Sequence, residues 1–321
     1  MVTRLLTFSS LLVLLVPLPA AAQIVIPPED IPCFVNPDQD KCREPVLIVP
    51  GLGASYNRRL MLQDRDGGTW KFAPTVEASF DPLVERLESE GYELGQDLFI
   101  VHYDWRQPNL ESAIEYLIPA IQTALAQNNP ESGKVDIVAH SMGGLVARAY
   151  AQSDSLYNDD VGQLILLGTP SGGAAGAYVA WEGGLFPPNW GFLAKQWIGR
   201  IEVSLMRTRN QNLGRPLSFR SFFPALKELL PTTAFVNRDG STLSPAQVAE
   251  QNTFLQELEA TSDRLALRGI QVATVAGVLE PTLAIVPVNT ARTAEDVTLE
   301  RWRDGWPPDQ LLACEHHLLN S

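Results

Sequence analysis

Short, wholly apolar runs along this chain alternate with stretches whose apolar residues recur at helical spacing. The run PVLIVPG, residues 45–51, is stopped by Pro-Gly and predicts a buried strand. DPLVERLESEGY predicts a helix, with Pro82 in its first turn and Gly91 at its end. DLFIVHYDW predicts a second strand. NLESAIEYLIPAIQTALAQN predicts a helix with Asn109 as N-cap and a kink at Pro119. KVDIVAH, VGQLILLGTP and GIQVATVAGV predict three more strands, with GGLVARAYAQS as a helix after the first of them. Fully apolar strands separated by helices imply an α/β fold with a mostly parallel sheet, covered by helices on both faces.

Between the last two predicted strands the texture changes. SGGAAGAYVAWEGGLFPPNWGFLAKQWIGR is rich in Gly, Pro and Trp, and two further segments look helical. This block, about residues 174–265, is expected to be a cap or lid inserted over the C-terminal edge of the sheet, where such folds bind ligands. Its segment from Trp181 to Arg200 is expected to hang over the rim, with Trp190 or Trp197 touching lipid at a lipid–water interface. The competing expectation is that these tryptophans pack onto the sheet.

Composition adds three constraints. The 321 residues carry a net charge of −13 with no basic run, which points away from nucleic acid and from an anionic membrane as partners. The start, MVTRLLTFSSLLVLLVPLPAAAQ, has a basic Arg4, an apolar stretch and an A-x-A site, so residues 1–22 read as a signal peptide of an exported protein. In an oxidising compartment Cys33 and Cys42, closing a short loop within residues 23–44, are expected to form a disulfide. Cys314 has no evident partner. The four histidines, His102, His140, His316 and His317, show no metal-ligand spacing, and no cofactor or metal is expected.

The chemistry centres on Ala139-His140-Ser141-Met142-Gly143, which lies between a predicted strand and a predicted helix. This fits a nucleophile elbow, with Ala in place of the first Gly. The sharp turn needs small residues on either side of the serine, and Ala139 and Gly143 supply them. Ser141 is the candidate nucleophile, and the Met142 amide one candidate oxyanion donor. A second donor should come from the glycine-rich loop after the first strand, where Leu52 or Gly53 offers an N–H. Asp104 and Arg106 in YDWR could pair to hold a loop, with Trp105 packed beneath it.

Four stretches in order, VPGLGAS, YDWR, AHSMGG and LGTPSGG, with a weaker fifth, FFPALKELLP, resemble the lecithin:cholesterol acyltransferase-like α/β hydrolases. The resemblance spans Pro45 to about Pro281. It implies an α/β-hydrolase fold, a serine nucleophile at Ser141, an oxyanion hole from the Leu52 and Met142 amides, an acyl-enzyme, and a lipid ester as substrate. It does not separate an acyltransferase from a lipase or phospholipase.

The resemblance also implies an acid in a Gly-Asp-Gly-Thr-Val-like stretch and a later histidine. This sequence reads ACEHHLLNS where the acid block should stand. The expectation is an incomplete C-terminal part, through truncation or frameshift near Leu312. The alternatives are a compact site, with Asp304, Asp309 or Glu315 as acid and His316 or His317 as base, or an inactive relative that binds lipid or a partner. Adjacent histidines so near an end would be poorly oriented as a base, so acid and base stay unassigned.

Overall fold

A computed structural model describes residues 43–74, 76–186, 192–277, 284–290, 294–298, 300–305 and 307. The signal-peptide expectation, Cys33, Cys42 and Cys314 lie outside the described residues. Chain order gives β1 (Val46–Val49), β2 (Ser55–Tyr56), α1 (Arg58–Gln63), β3 (Lys71–Phe72), α2 (Glu77–Ser89), β4 (Leu98–Ile100), α3 (Asn109–Ser112), α4 (Ile118–Asn128), β5 (Val135–His140), α5 (Gly143–Ala151) and β6 (Val161–Leu167). There follow α6 (Ala175–Gly183), α7 (Phe192–Thr208), α8 (Arg215–Phe222), β7 (Val236–Arg238), β8 (Ser241–Thr242), α9 (Thr253–Ala260), α10 (Asp263–Leu267), β9 (Gln271–Val275), β10 (Val286–Val288) and α11 (Ala294–Thr298).

The central sheet is parallel, in the order β4-β1-β5-β6-β9. Strands β1 and β5 are buried on both faces because both faces are covered there, while the edge strand β9 is largely exposed. Alternate residues of β1 divide between two cores: Leu47 and Val49 join the larger one, with α4, α5 and the inserted helices, while Val46 and Ile48 pack with Phe80 and Leu87 of α2. Ile137 and Val138 of β5 divide in the same way. This is the α/β-hydrolase arrangement, and it brings the ends of β1, β4, β5 and β6 to one edge.

Four local expectations shift. The helix expected from Asp81 starts at Glu77, so Pro82 stands inside it. A proline in the second turn removes one bond, and the burial of Phe80 and Leu87, seven residues apart, outweighs that. Asn109 is not a cap: Pro108 takes that place, and Asn109 turns inward. Its N–H and its Nδ2 each donate to Glu228 Oε2, both at 2.7 Å. The kink expected at Pro119 is instead a π-helical turn, Ala113–Leu117, directly before it. Pro119 has no N–H to give the Glu115 carbonyl, and the wider turn accommodates that loss. The strand expected over residues 97–105 ends at Ile100, because the YDWR residues fold into a turn of their own.

The inserted block begins at α6, whose residues Tyr178–Gly183 are all buried. Trp181 is only 6% exposed, so this tryptophan is core and not rim. At the far side of the block, α9 and α10 lie against the C-terminal end of α5: Arg148 and Gln152 both donate to the Leu258 carbonyl.

Candidate active site

The β5–α5 corner has the geometry of an elbow. Ser141 takes φ +53°, in the left-handed region that costs a non-glycine residue free energy. The strain is held from both sides. The Ser141 amide donates to the Leu167 carbonyl of β6 at 2.8 Å, and its own carbonyl accepts from the Gly144 amide at 3.0 Å. The glycines are required by contact. A Cβ on Gly143 would lie 2.3 Å from the Val49 carbonyl oxygen, and one on Gly51 would lie 2.8 Å from the Ser141 Cβ. The loop after β1 therefore runs directly against the serine. Among the described residues, neither the Leu52 nor the Met142 amide donates a hydrogen bond within the protein. Both amides stand on loops that meet at the serine, and α5 presents its N-terminus there.

The YDWR turn braces that loop. Tyr103 donates its hydroxyl to the Pro50 carbonyl at 2.8 Å, before the loop. Trp105 donates Nε1 to the Ser55 carbonyl at 2.8 Å, after it. The Ser55 hydroxyl accepts from the Tyr103 amide at 3.4 Å. Under the turn Arg106 grips Asp104 with two bonds, Nε to Oδ1 at 2.8 Å and Nη2 to Oδ2 at 2.6 Å, and both side chains are buried. Trp105 stacks on Phe223 at 5.6 Å, and the Arg106 carbonyl accepts from the Ala225 amide. The Asp104–Arg106 pair and the packed Trp105 were legible in the sequence. The parts played by Tyr103 and Ser55 were not, since each depends on a residue about fifty positions away.

The other candidates stand elsewhere. His102 meets the Ser55 hydroxyl through Nδ1 at 3.3 Å and presents Phe72 with a ring edge, and burial lowers its pKa to about 4. His140 lies edge-on to Phe80. Asp304 is buried against the inserted block. It accepts from the Ala249 amide at 2.7 Å and the Tyr178 hydroxyl at 3.1 Å, beside Arg238. Burial raises its pKa. All three of its partners belong to the inserted block, and none to the elbow. Asp309, Glu315, His316 and His317 lie outside the described residues, as does Trp190. Trp197 is half-buried on α7, edge-on to Tyr56 at 4.4 Å. Among the described residues, no group of three or more His, Cys, Asp or Glu side chains could hold a metal ion.

Residues 71–266 match the lecithin:cholesterol acyltransferase family. Phospholipase A(1) LCAT3 of Arabidopsis thaliana is 35% identical over 100 residues, which cover 30% of this chain and 22% of that protein. Lysosomal phospholipase A and acyltransferase of Canis lupus familiaris is 27% identical over 129 residues, covering 40% and 29%. The matches thus span less than a third of the length of these curated relatives. Among solved structures, phospholipase PlaB from Legionella pneumophila superposes with a TM-score of 0.38 at 14% identity, covering 73% of this chain and 38% of that one. With the family match running from β3 through the elbow to α10, the chain belongs to the lecithin:cholesterol acyltransferase family.

Proposed function

We propose that this chain carries out serine-dependent acyl transfer on lipid esters. Ser141 Oγ attacks the ester carbonyl carbon, and its proton passes to a base. The oxyanion that forms accepts hydrogen bonds from the Leu52 and Met142 amides. Collapse of the adduct expels the alcohol, which takes up the proton and leaves the acyl group on Ser141. Water then releases a fatty acid, or a second alcohol takes the acyl group as a new ester. The observation that carries this reading is the left-handed Ser141, held at a strand–helix corner with the Gly51 loop packed against it. The named relatives, a phospholipase and a phospholipase/acyltransferase, support lipid esters as the substrate class.

A fluorophosphonate should label Ser141, and Ser141→Ala should abolish both labelling and turnover, the latter by about 10⁴-fold or more. On p-nitrophenyl esters, long acyl chains should be favoured over acetate. Labelling at another residue, or turnover of acetate alone, would overturn the proposal. A second reading, a lipid-binding relative without catalysis, draws support from His102 and His140. Both rings face aromatic neighbours, and among the described residues neither hydrogen-bonds Ser141. It predicts vesicle binding with no labelling.

A further inference from the structure

The net charge of −13 is not spread evenly. Residues 192–215 contain Lys195, Arg200, Arg207, Arg209 and Arg215 against a single acid, Glu202. Two of these arginines are used internally: Arg209 forms a two-point pair with Asp64, and Arg215 lies 3.7 Å from the buried Glu202. Arg200 and Arg207 make no ion pair or hydrogen bond among the described residues.

Helical geometry explains where they point. Ile198, Ile201 and Leu205 of α7 are buried, and this is the face turned to the protein. It reaches the oxyanion loop, because Ile198 Cδ1 lies 3.8 Å from where a Cβ on Gly53 would stand. The opposite face, with Gly199, Arg200, Val203, Met206 and Arg207 at three- and four-residue spacing, lines a groove of about 740 Å³ together with Leu62 of α1 and the paired Glu202 and Arg215. Val203 is 41% exposed there. The groove thus joins an apolar floor to unneutralised guanidinium groups, on the outer side of a helix whose inner side touches the loop carrying Leu52. A lipid surface with anionic headgroups answers both halves: acyl carbons fit the floor, and phosphates fit planar guanidinium donors.

We propose that this α7 groove docks the protein on an anionic phospholipid surface. The inference rests on the lipid-ester reading above but concerns binding and not chemistry. It places the docking face one helix thickness from the oxyanion loop, so that a docked lipid lies close to the elbow.

Flotation with full-chain protein tests it, using vesicles of phosphatidylcholine alone and of equal parts phosphatidylcholine and phosphatidylglycerol. Binding should favour the mixed vesicles and weaken with added salt. Each arginine near such a surface is worth about fivefold in binding, so Arg200→Gln/Arg207→Gln should bind mixed vesicles about 25-fold more weakly. Its melting temperature should match the parent's, since among the described residues neither side chain has an internal partner. Val203→Ser should weaken binding to both kinds of vesicle. Equal binding of the parent to both vesicles, or undiminished binding by the double variant, overturns the proposal; the second result would leave the groove as a seat for a protein partner. Ser141→Ala should float like the parent. Binding that depends on the arginines in a chain that no fluorophosphonate labels would sink the catalytic reading and leave the docking face intact.

Discussion

Two buried aspartates at opposite ends of one sheet are treated in opposite ways. Asp104 stands just past β4, at the edge where β5 turns into Ser141, and Arg106 holds both of its oxygens. Asp136 stands in the second position of β5, at the other edge. Gln163 Nε2 donates to its Oδ2 at 2.9 Å, and among the described residues its Oδ1 has no partner. Burial, with Glu44 adding repulsion, pushes the Asp136 pKa up to about 7. Burying a carboxylate is costly in either place. At the elbow edge the cost is offset by a cation in a fixed two-point geometry, and the ordered turn that results braces the loop after β1. At the far edge, among the described residues, Gln163 and no cation meets the carboxyl, and it keeps its proton far above the usual range.

The contrast is tested most strongly at Arg106. Arg106→Leu strands Asp104 as an unpaired buried charge and should cost about 3–5 kcal/mol in urea unfolding. Asp104→Asn in the same chain should recover much of that; a double variant as unstable as the single one would mean that Arg106 acts through packing alone. The next effect is pH-dependent. Folded Asp136 holds its proton to about pH 7, while the unfolded residue releases it near 3.9. The folded state therefore binds more protons between these values. Its stability should fall as pH rises through that window, by up to about 1.4 kcal/mol per pH unit from this residue. Asp136→Asn should remove that slope and be more stable than the parent at pH 8, as urea midpoints measured at each pH would show. The smallest effect is at Tyr103. Tyr103→Phe removes one neutral hydrogen bond to Pro50 and should lower stability by about 1 kcal/mol in thermal melts. A far larger loss would show that the loop is held chiefly at its first end.

The same contrast marks what could be read from sequence. Strands β1, β5 and β6 were legible because the sheet is covered there, which keeps the runs 46–49, 137–139 and 164–167 wholly apolar. The elbow was legible because its steric demands fall on residues within two positions of Ser141. Reading failed where a distant segment decides. Asn109 looks like a cap, but Glu228, more than a hundred residues on, claims its donors. Trp181 looks like a rim residue among glycines and prolines, but α6 is enclosed by its neighbours, with the Arg220 guanidinium 5.8 Å over the indole. The open groove on α7 has no signature in total charge, because a local excess of arginines vanishes in a chain-wide sum of −13.

The glycines around Ser141 bear on how such a protein can be re-engineered. An added methyl would meet backbone or near-backbone atoms at Gly51 and Gly143, and would lie 2.0 Å from Thr169 Oγ1 at Gly144. Three successive strand ends are thus interlocked at distances that leave mutational drift no first step: a change at any one of these positions needs compensating shifts in the others. A library of variants would be wasted there. The α7 helix reaches this corner through the Ile198 side chain, and its outer face is where variation can accumulate while the elbow keeps its shape.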